Sequence, residues 1–382
     1  MVRFIPPGAS DDPWLDAFRH RCDPLADEAV AEIGPVPAGT ELLAAVRGRA
    51  AATTGACRRF VEATAQMPAW VRLEEHEAGR RMFLQHGLLS LFVGFTVLVE
   101  TYAGSRDNKV LMMSGRIGGQ ASFRRLVETA RFVDQVVARG GLLPDGLGTK
   151  ALLSVRLLHA RVRTHCRRAG YDVERYDQPI NQEAMGGTLM FFSSGVIKAL
   201  EMLGVVIHPE EKESYHRLWR TAGFLMGVDE ALLPETYEDE LALYERVKAH
   251  AFFPDDDTRT LFESSVSGVV RGAAGLPLHL QVAGAGLLRS EAFLRGFTRT
   301  CVDPRLGTFL VGPPSAAGMR AVELARRAFR ARSRVHRLGG AGALLARAER
   351  ALFPRVVSAL LQGEEVRYEN PGFAEPAAAP RS

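Results

Sequence analysis

The stretch "VRLLHARVR", residues 155–163, sets one imidazole among arginines. Leu152, Val155, His159, Val162 and Cys166 follow one another at steps of three or four residues, which lays them on one stripe of an α-helix. Arg156, Arg161, Arg163, Arg167 and Arg168 fall on or beyond its flanks. A histidine on an apolar stripe is either a core residue satisfied by a hydrogen bond or an imidazole that something in the interior needs. The residues around it leave both readings open.

The elements that must carry this stripe are helices. Helical periodicity predicts segments over about 40–66, 71–103, 119–139, 146–169, 180–204, 209–227, 236–251, 255–272, 281–298, 315–337 and 339–362. Pro209 opens one of them with glutamates in its first turn, and Gly170, Gly204 and Gly227 stand just past others. Alternating runs of β-branched residues are few, and no repeat of 20–50 residues is visible. The expectation is an all-α protein with a loosely structured segment over 1–38, one helical domain over 39–363 and a flexible tail over 364–382.

Composition narrows the function. The 382 residues are 47% hydrophobic and 24% charged, as in globular chains. The net charge of +4 is thinly spread among acidic residues, which argues against a nucleic-acid partner. Four cysteines lie far apart with no CxxC pair, so neither a zinc ribbon nor a redox pair is expected. The N-terminus shows no apolar export region, which reads as a cytoplasmic start. The longest apolar run, "GLLSLFVGFTVLV" over 87–99, is far shorter than the roughly 20 residues of a membrane span and predicts a buried helix.

Several fragments imitate motifs. "HEAGR" at 76–80 has Arg80 where a zincin has its second histidine. "GLLPDGLGTK" at 141–150 has Leu147 where a phosphate loop has lysine. "DDD" at 255–257 lacks the glycine and terminal glutamate of a calcium loop and suits a helix N-terminus. His86 reads as a core or supporting histidine.

Three longer stretches belong together: "SFRRLVETARFV" (122–133), "VRLLHARVR" (155–163) and "QPINQEAMGGTLMFFSSGVIKALEMLG" (178–204), the last followed by "YHRLWRTAGFLMGVDEALLP" (215–234). In order and spacing they resemble the family of latex-clearing protein (bacterial rubber oxygenase) and the fungal MpaB-type oxygenases. The likeness runs from about Pro68 to about Pro234.

The resemblance implies a globin-like helical core holding a non-covalent b-type haem. It also implies dioxygen-dependent cleavage of carbon–carbon double bonds in isoprenoid chains. His159 falls at the haem-iron ligand, and an imidazole projecting from an apolar wall suits that role. No CxxCH is present, in keeping with non-covalent haem. Arg156 and Arg163, one turn either side, are placed to reach propionates.

Arg125 and Thr129 share a helix face and match family positions on the oxygen side. An interior arginine is costly unless paired, which makes Arg125 a site candidate. Glu128 stands where the rubber oxygenases have lysine, either as a base or as a partner of Arg125. Asn181 and Gln182 either orient the pocket or cap the next helix. Met185, Leu189, Phe192 and Val196 form either a channel wall or a core stripe.

The expected partners are dioxygen and a hydrophobic small molecule. The missing export signal points to a terpenoid or lipid-like compound inside the cell. Competing readings are a haem peroxygenase or peroxidase, a non-catalytic haem sensor or carrier, and a member without cofactor.

Overall fold

A computed structural model of the chain describes residues 9–113, 119–282, 285–313, 315–336, 338–361 and 364–371. Among them the regular structure is helical, and an isolated antiparallel bridge pairs Glu41 with Glu369. The helices are α1 (Pro13–Arg19), α2 (Pro24–Ile33), α3 (Leu42–Ala52), α4 (Ala56–Ala65), α5 (Glu77–Gln85), α6 (Gly87–Thr101), α7 (Ser105–Met113), α8 (Gly119–Val137), α9 (Leu147–Arg168) and α10 (Val173–Tyr176). They continue as α11 (Gln182–Met190), α12 (Val196–Met202), α13 (Pro209–Met226), α14 (Tyr237–Ala251), α15 (Asp256–Ala274), α16 (Leu278–Val282), α17 (Glu291–Cys301), α18 (Pro304–Val311), α19 (Ala316–Val335) and α20 (Gly339–Leu360). The all-α expectation holds. None of the described helices is long and apolar enough to cross a membrane.

Two helices occupy the stretch expected to be loose. Asp12 accepts from the Leu15 amide at 3.1 Å, and Asp23 from the Ala26 amide at 3.3 Å, with Pro13 and Pro24 at the first helical positions. These prolines and aspartates start helices, because proline there forfeits no bond and aspartate satisfies an orphan donor. The described part of the expected tail makes bonds to the rest of the chain. Asn370 donates to the carbonyls of Val36 and Pro37, and its amide bonds Thr40, so residues 364–371 return to the N-terminal half. Residues 372–382 of that tail, and 1–8 of the N-terminal segment, lie outside the described residues.

Long predicted helices break where neighbours supply caps. The segment over 40–66 splits at Thr53–Gly55, where Glu32 of α2 accepts from Thr53 Oγ1 at 2.8 Å and from the Cys57 amide at 3.0 Å. The segment over 180–204 contains a π-turn, Phe191–Gly195. There the Ser194 amide donates to buried Glu240 at 3.0 Å, and Glu240 also holds His216 Nδ1 at 2.6 Å. α8 packs on α9, α15 and α20. α13 packs on α5 and α9, and α2 packs on α4 and α9.

Candidate active site

The most buried face of α9 is not the stripe read from the sequence. Leu152, Leu157, Ala160 and Cys166 are buried, but so are Arg156 and Arg163, the latter with no exposed surface. Val155, His159 and Val162 are only partly buried. Arginines survive inside because α2 meets each with a carboxylate. Arg156 grips Asp23 with two bonds, Nε to Oδ2 at 2.6 Å and Nη2 to Oδ1 at 2.9 Å. Arg163 Nε donates to Asp27 at 2.8 Å. The two arginines expected to reach propionates thus have carboxylate partners within the protein, supplied by the N-terminal segment that carries α2.

The motif residues after α9 complete this lock. Gly227 ends α13 in the left-handed region at φ 78°, and a Cβ there would lie 2.5 Å from both Asp23 Oδ2 and Arg156 Nε. Glycine is required on both counts. Gln182 Nε2 donates to the carbonyls of Cys22 and Gly227, both at 2.9 Å, and its Oε1 accepts from the Asp229 amide at 2.8 Å. Asn181 caps α11 by accepting from the Ala184 amide at 2.9 Å. Of the two readings of this pair, capping holds for Asn181, while Gln182 ties three segments around Arg156.

His159 keeps some exposed surface, but its Nδ1 is fully covered and has no hydrogen-bond partner among the described residues. Burial, reinforced by the nearby Arg163 charge, pulls its pKa down to about 4 against the opposing effect of Asp23. The imidazole is neutral at physiological pH, with a lone pair available.

Arg125 presents the complementary anomaly. Its Nη2 donates to Tyr102 Oη at 2.6 Å, while its Nε and Nη1 are covered and unpaired among the described residues. Tyr102 is itself fully buried and bonded to Ser265 Oγ at 3.1 Å. Glu128 does not neutralise Arg125. It accepts from Arg124 at 2.9 Å on the outer side of α8. The Thr129 hydroxyl returns to the Arg125 carbonyl at 2.8 Å, the local bond typical of threonine in a helix.

Thr129 also borders a cavity of about 60 Å³ enclosed by α5, α6, α8, α13, α15 and α20. Its walls are almost wholly apolar: Phe95, Phe123, Leu126, Val133, Phe192 and Phe353 are among them. The π-turn sends Phe192 and Val196 to this lining, whereas Met185 and Leu189 are buried elsewhere, so half of the expected channel stripe lines it. α8 thus packs on the helix of His159 and also walls the cavity. Sequence reasoning missed Tyr102, Asp23 and Asp27. The signal available was two aspartates one turn apart, opposite arginines two turns apart.

No group of three or more histidine, cysteine or carboxylate side chains suited to a metal ion occurs among the described residues. Among the described residues, then, the chain encloses an apolar cavity and leaves an imidazole nitrogen and guanidinium donors unmatched. Residues 74–331 match the family described as ER-bound oxygenase mpaB/B'/rubber oxygenase, catalytic domain, and the chain belongs to this family. It is 23% identical over 239 residues to the rubber oxygenase of Streptomyces sp. (strain K30), covering 60% of this chain and 58% of that relative. The fold is similar to that of latex clearing protein in the closed state, with a TM-score of 0.63 at 19% identity over 93% of this chain and 95% of the other.

Proposed function

We propose that this chain is a haem b-dependent oxygenase that uses dioxygen to cleave or oxygenate a carbon–carbon double bond in a hydrophobic, isoprenoid-like small molecule. The observation that carries the reading is the covered Nδ1 of a neutral His159 on the motif helix, without a partner among the described residues. A buried polar nitrogen without a partner is costly, and a ligand removes the cost. The iron of a bound haem supplies the centre at which dioxygen is activated. His159 would hold that iron through its imidazole.

Arg125, anchored by Tyr102, would offer its two unpaired donors to a developing negative charge, the usual task of a preorganised cation in an oxygenase pocket. The apolar walls around Thr129 would receive the alkene and exclude water. Arg156 and Arg163 then act as positioning residues that fix α9 through Asp23 and Asp27. Glu128, turned toward Arg124, has no proton-transfer role in this reading.

The test is an absorption spectrum of the purified protein, as isolated and after haemin reconstitution, followed by incubation of oligo-isoprenoids with labelled dioxygen. A Soret band that His159→Ala loses while the helices remain folded, with label in carbonyl products, is expected. No Soret shift with haemin would end the haem reading. Turnover driven by peroxide alone, with no label from dioxygen, would replace it with a peroxygenase.

A further inference from the structure

The apolar cavity is a slot. Along α8 it runs from Phe123 to Val133, about 15 Å at 1.5 Å per residue. At about 60 Å³ it is narrow for that length. Its near end is marked by Phe83 of α5, Val133 of α8 and Phe353 of α20, with the Phe83 and Phe353 rings edge to face at 5.6 Å.

The same three helices lead to a second feature. Arg80 precedes Phe83 by one turn of α5, and Arg350 precedes Phe353 by one turn of α20. α8 runs the other way, from Val133 to its end at Val137, and Arg139 follows. Arg80, Arg81, Arg139 and Arg350 all line one open groove of about 810 Å³, together with Glu74 and Glu77. The groove thus lies about one helical turn beyond the Phe83–Phe353 end of the slot.

Its charge is not balanced. Glu77 serves both Arg80, at 2.8 Å, and Arg81, at 2.5 Å. Arg139 and Arg350 have no carboxylate partner among the described residues, unlike Arg80 and Arg81 beside them. Two more cations than carboxylates face the groove. A purely hydrocarbon guest has no use for them. Planar guanidinium groups about one helical turn beyond the end of an apolar slot match a molecule whose chain ends in an oxyanion.

We infer that the natural guest of this slot is an amphiphile, an isoprenoid-like chain bearing a terminal phosphate or carboxylate, with its head in the arginine groove and its chain behind Phe83 and Phe353. The inference gives a substrate class to the function proposed above. It is tested by binding, without turnover or haem.

The experiment measures affinity of the full-length protein for farnesyl phosphate, farnesol and inorganic phosphate by calorimetry. Farnesyl phosphate should bind at least about tenfold more tightly than farnesol, a difference of about 1.4 kcal/mol, and more tightly than inorganic phosphate. The advantage should shrink as salt rises from about 0.05 M to about 0.5 M. In the double variant Arg139→Ala/Arg350→Ala it should vanish with farnesol affinity unchanged. These side chains are exposed or half-buried, and far-UV circular dichroism checks that the helices persist.

Equal binding of farnesyl phosphate and farnesol, or an advantage that survives the double variant, overturns the inference. So does inorganic phosphate binding as tightly as farnesyl phosphate, because the groove then works without the slot. Vesicles containing phosphatidate form a further arm: binding to vesicles without binding to monomeric farnesyl phosphate assigns the groove to a membrane surface instead. If the binding pattern holds but no oxygenase activity is found, the slot and groove stand as a ligand site and the proposed chemistry alone fails.

Discussion

Partly buried Arg125 and fully buried Tyr102 form a pair in which the phenol oxygen accepts from one guanidinium nitrogen at 2.6 Å, and the guanidinium carbon lies 5.5 Å from the centre of the same ring. Tyr102 is thereby the residue that aims Arg125 while leaving its other two nitrogens unmatched among the described residues. Tyr102→Phe keeps the ring and removes the acceptor. A hydrogen bond to a charged group contributes about 1.5–3 kcal/mol, so urea denaturation should show a loss of that order. If Arg125 acts on bound oxygen, Tyr102→Phe should retain haem and shorten the lifetime of the oxygen complex, as Arg125→Ala does more severely. Stopped-flow spectra of reduced, reconstituted protein mixed with oxygen read this directly.

Arg163 has no exposed surface and meets Asp27 of α2. Removing Asp27 strands a fully buried cation, at a cost toward the roughly 3–5 kcal/mol of a broken buried pair, whereas removing Arg163 leaves Asp27 partly exposed with Arg167 at 4.0 Å. Asp27→Ala should therefore lower the urea midpoint sharply, and Arg163→Ala should lower it less. Their double variant should fall well short of the sum, because the second change removes a charge already unpaired. Full additivity would return Arg163 to the expected role at a propionate.

How far the site could be read from sequence follows from the range of each interaction. The helices of His159 and Arg125 were legible, because periodicity and motif spacing are local. The caps of Asn181 and of Asp255 were legible for the same reason. α1 and α2 were not, although Asp12–Pro13 and Asp23–Pro24 are start signals; aspartate and proline also serve loops, and short helices show little periodicity. The fates of Arg156 and Arg163 depended on α2 and so were missed with it. The partner of Arg125 lies on another helix, which no spacing reveals. Glu128 chose Arg124 over Arg125 because both lie on α8 within reach of it, and only the outer one leaves the carboxylate in water.

Two buried histidines outside the proposed iron ligand predict an acid sensitivity. Burial holds His76 down to about 4, and holds His86 down to about 3 with help from the Arg332 and His336 charges. Both folded values lie below the unfolded value of about 6.5, so the unfolded chain binds more protons between them. Their contribution is full above about pH 6.5 and is lost as pH falls toward 4 and 3. Urea midpoints at about pH 7 and about pH 4 should diverge. In His86→Leu the divergence should shrink by about 3 kcal/mol, at 1.4 kcal/mol per unit. His216 works in the opposite sense: burial lowers it, but the bond and charge of Glu240 outweigh that and raise it. His216 should therefore not be used as the control.

The width of the slot is set by a glycine on the neighbouring helix. Phe123 of α8 lines the slot, and a Cβ built on Gly272 of α15 would lie 2.0 Å from its Cζ. Gly272→Ala must push the Phe123 ring aside, because a backbone held by helix packing yields less readily than a partly exposed ring. Overpacking of this kind costs about 1–3 kcal/mol, and here the displaced ring has the slot to move into. Gly272→Ala should therefore weaken binding of a hydrophobic ligand such as farnesol while the Soret band of the reconstituted protein is unchanged. Phe123→Ala alone enlarges the slot and should preserve or tighten that binding at some cost in stability. The double variant decides the matter. With the ring gone, the three atoms nearest the new methyl are gone too, so Phe123→Ala/Gly272→Ala should bind farnesol like Phe123→Ala. If the double variant instead binds as poorly as Gly272→Ala, the methyl acts through α8–α15 packing, and Phe123 does not gate the slot.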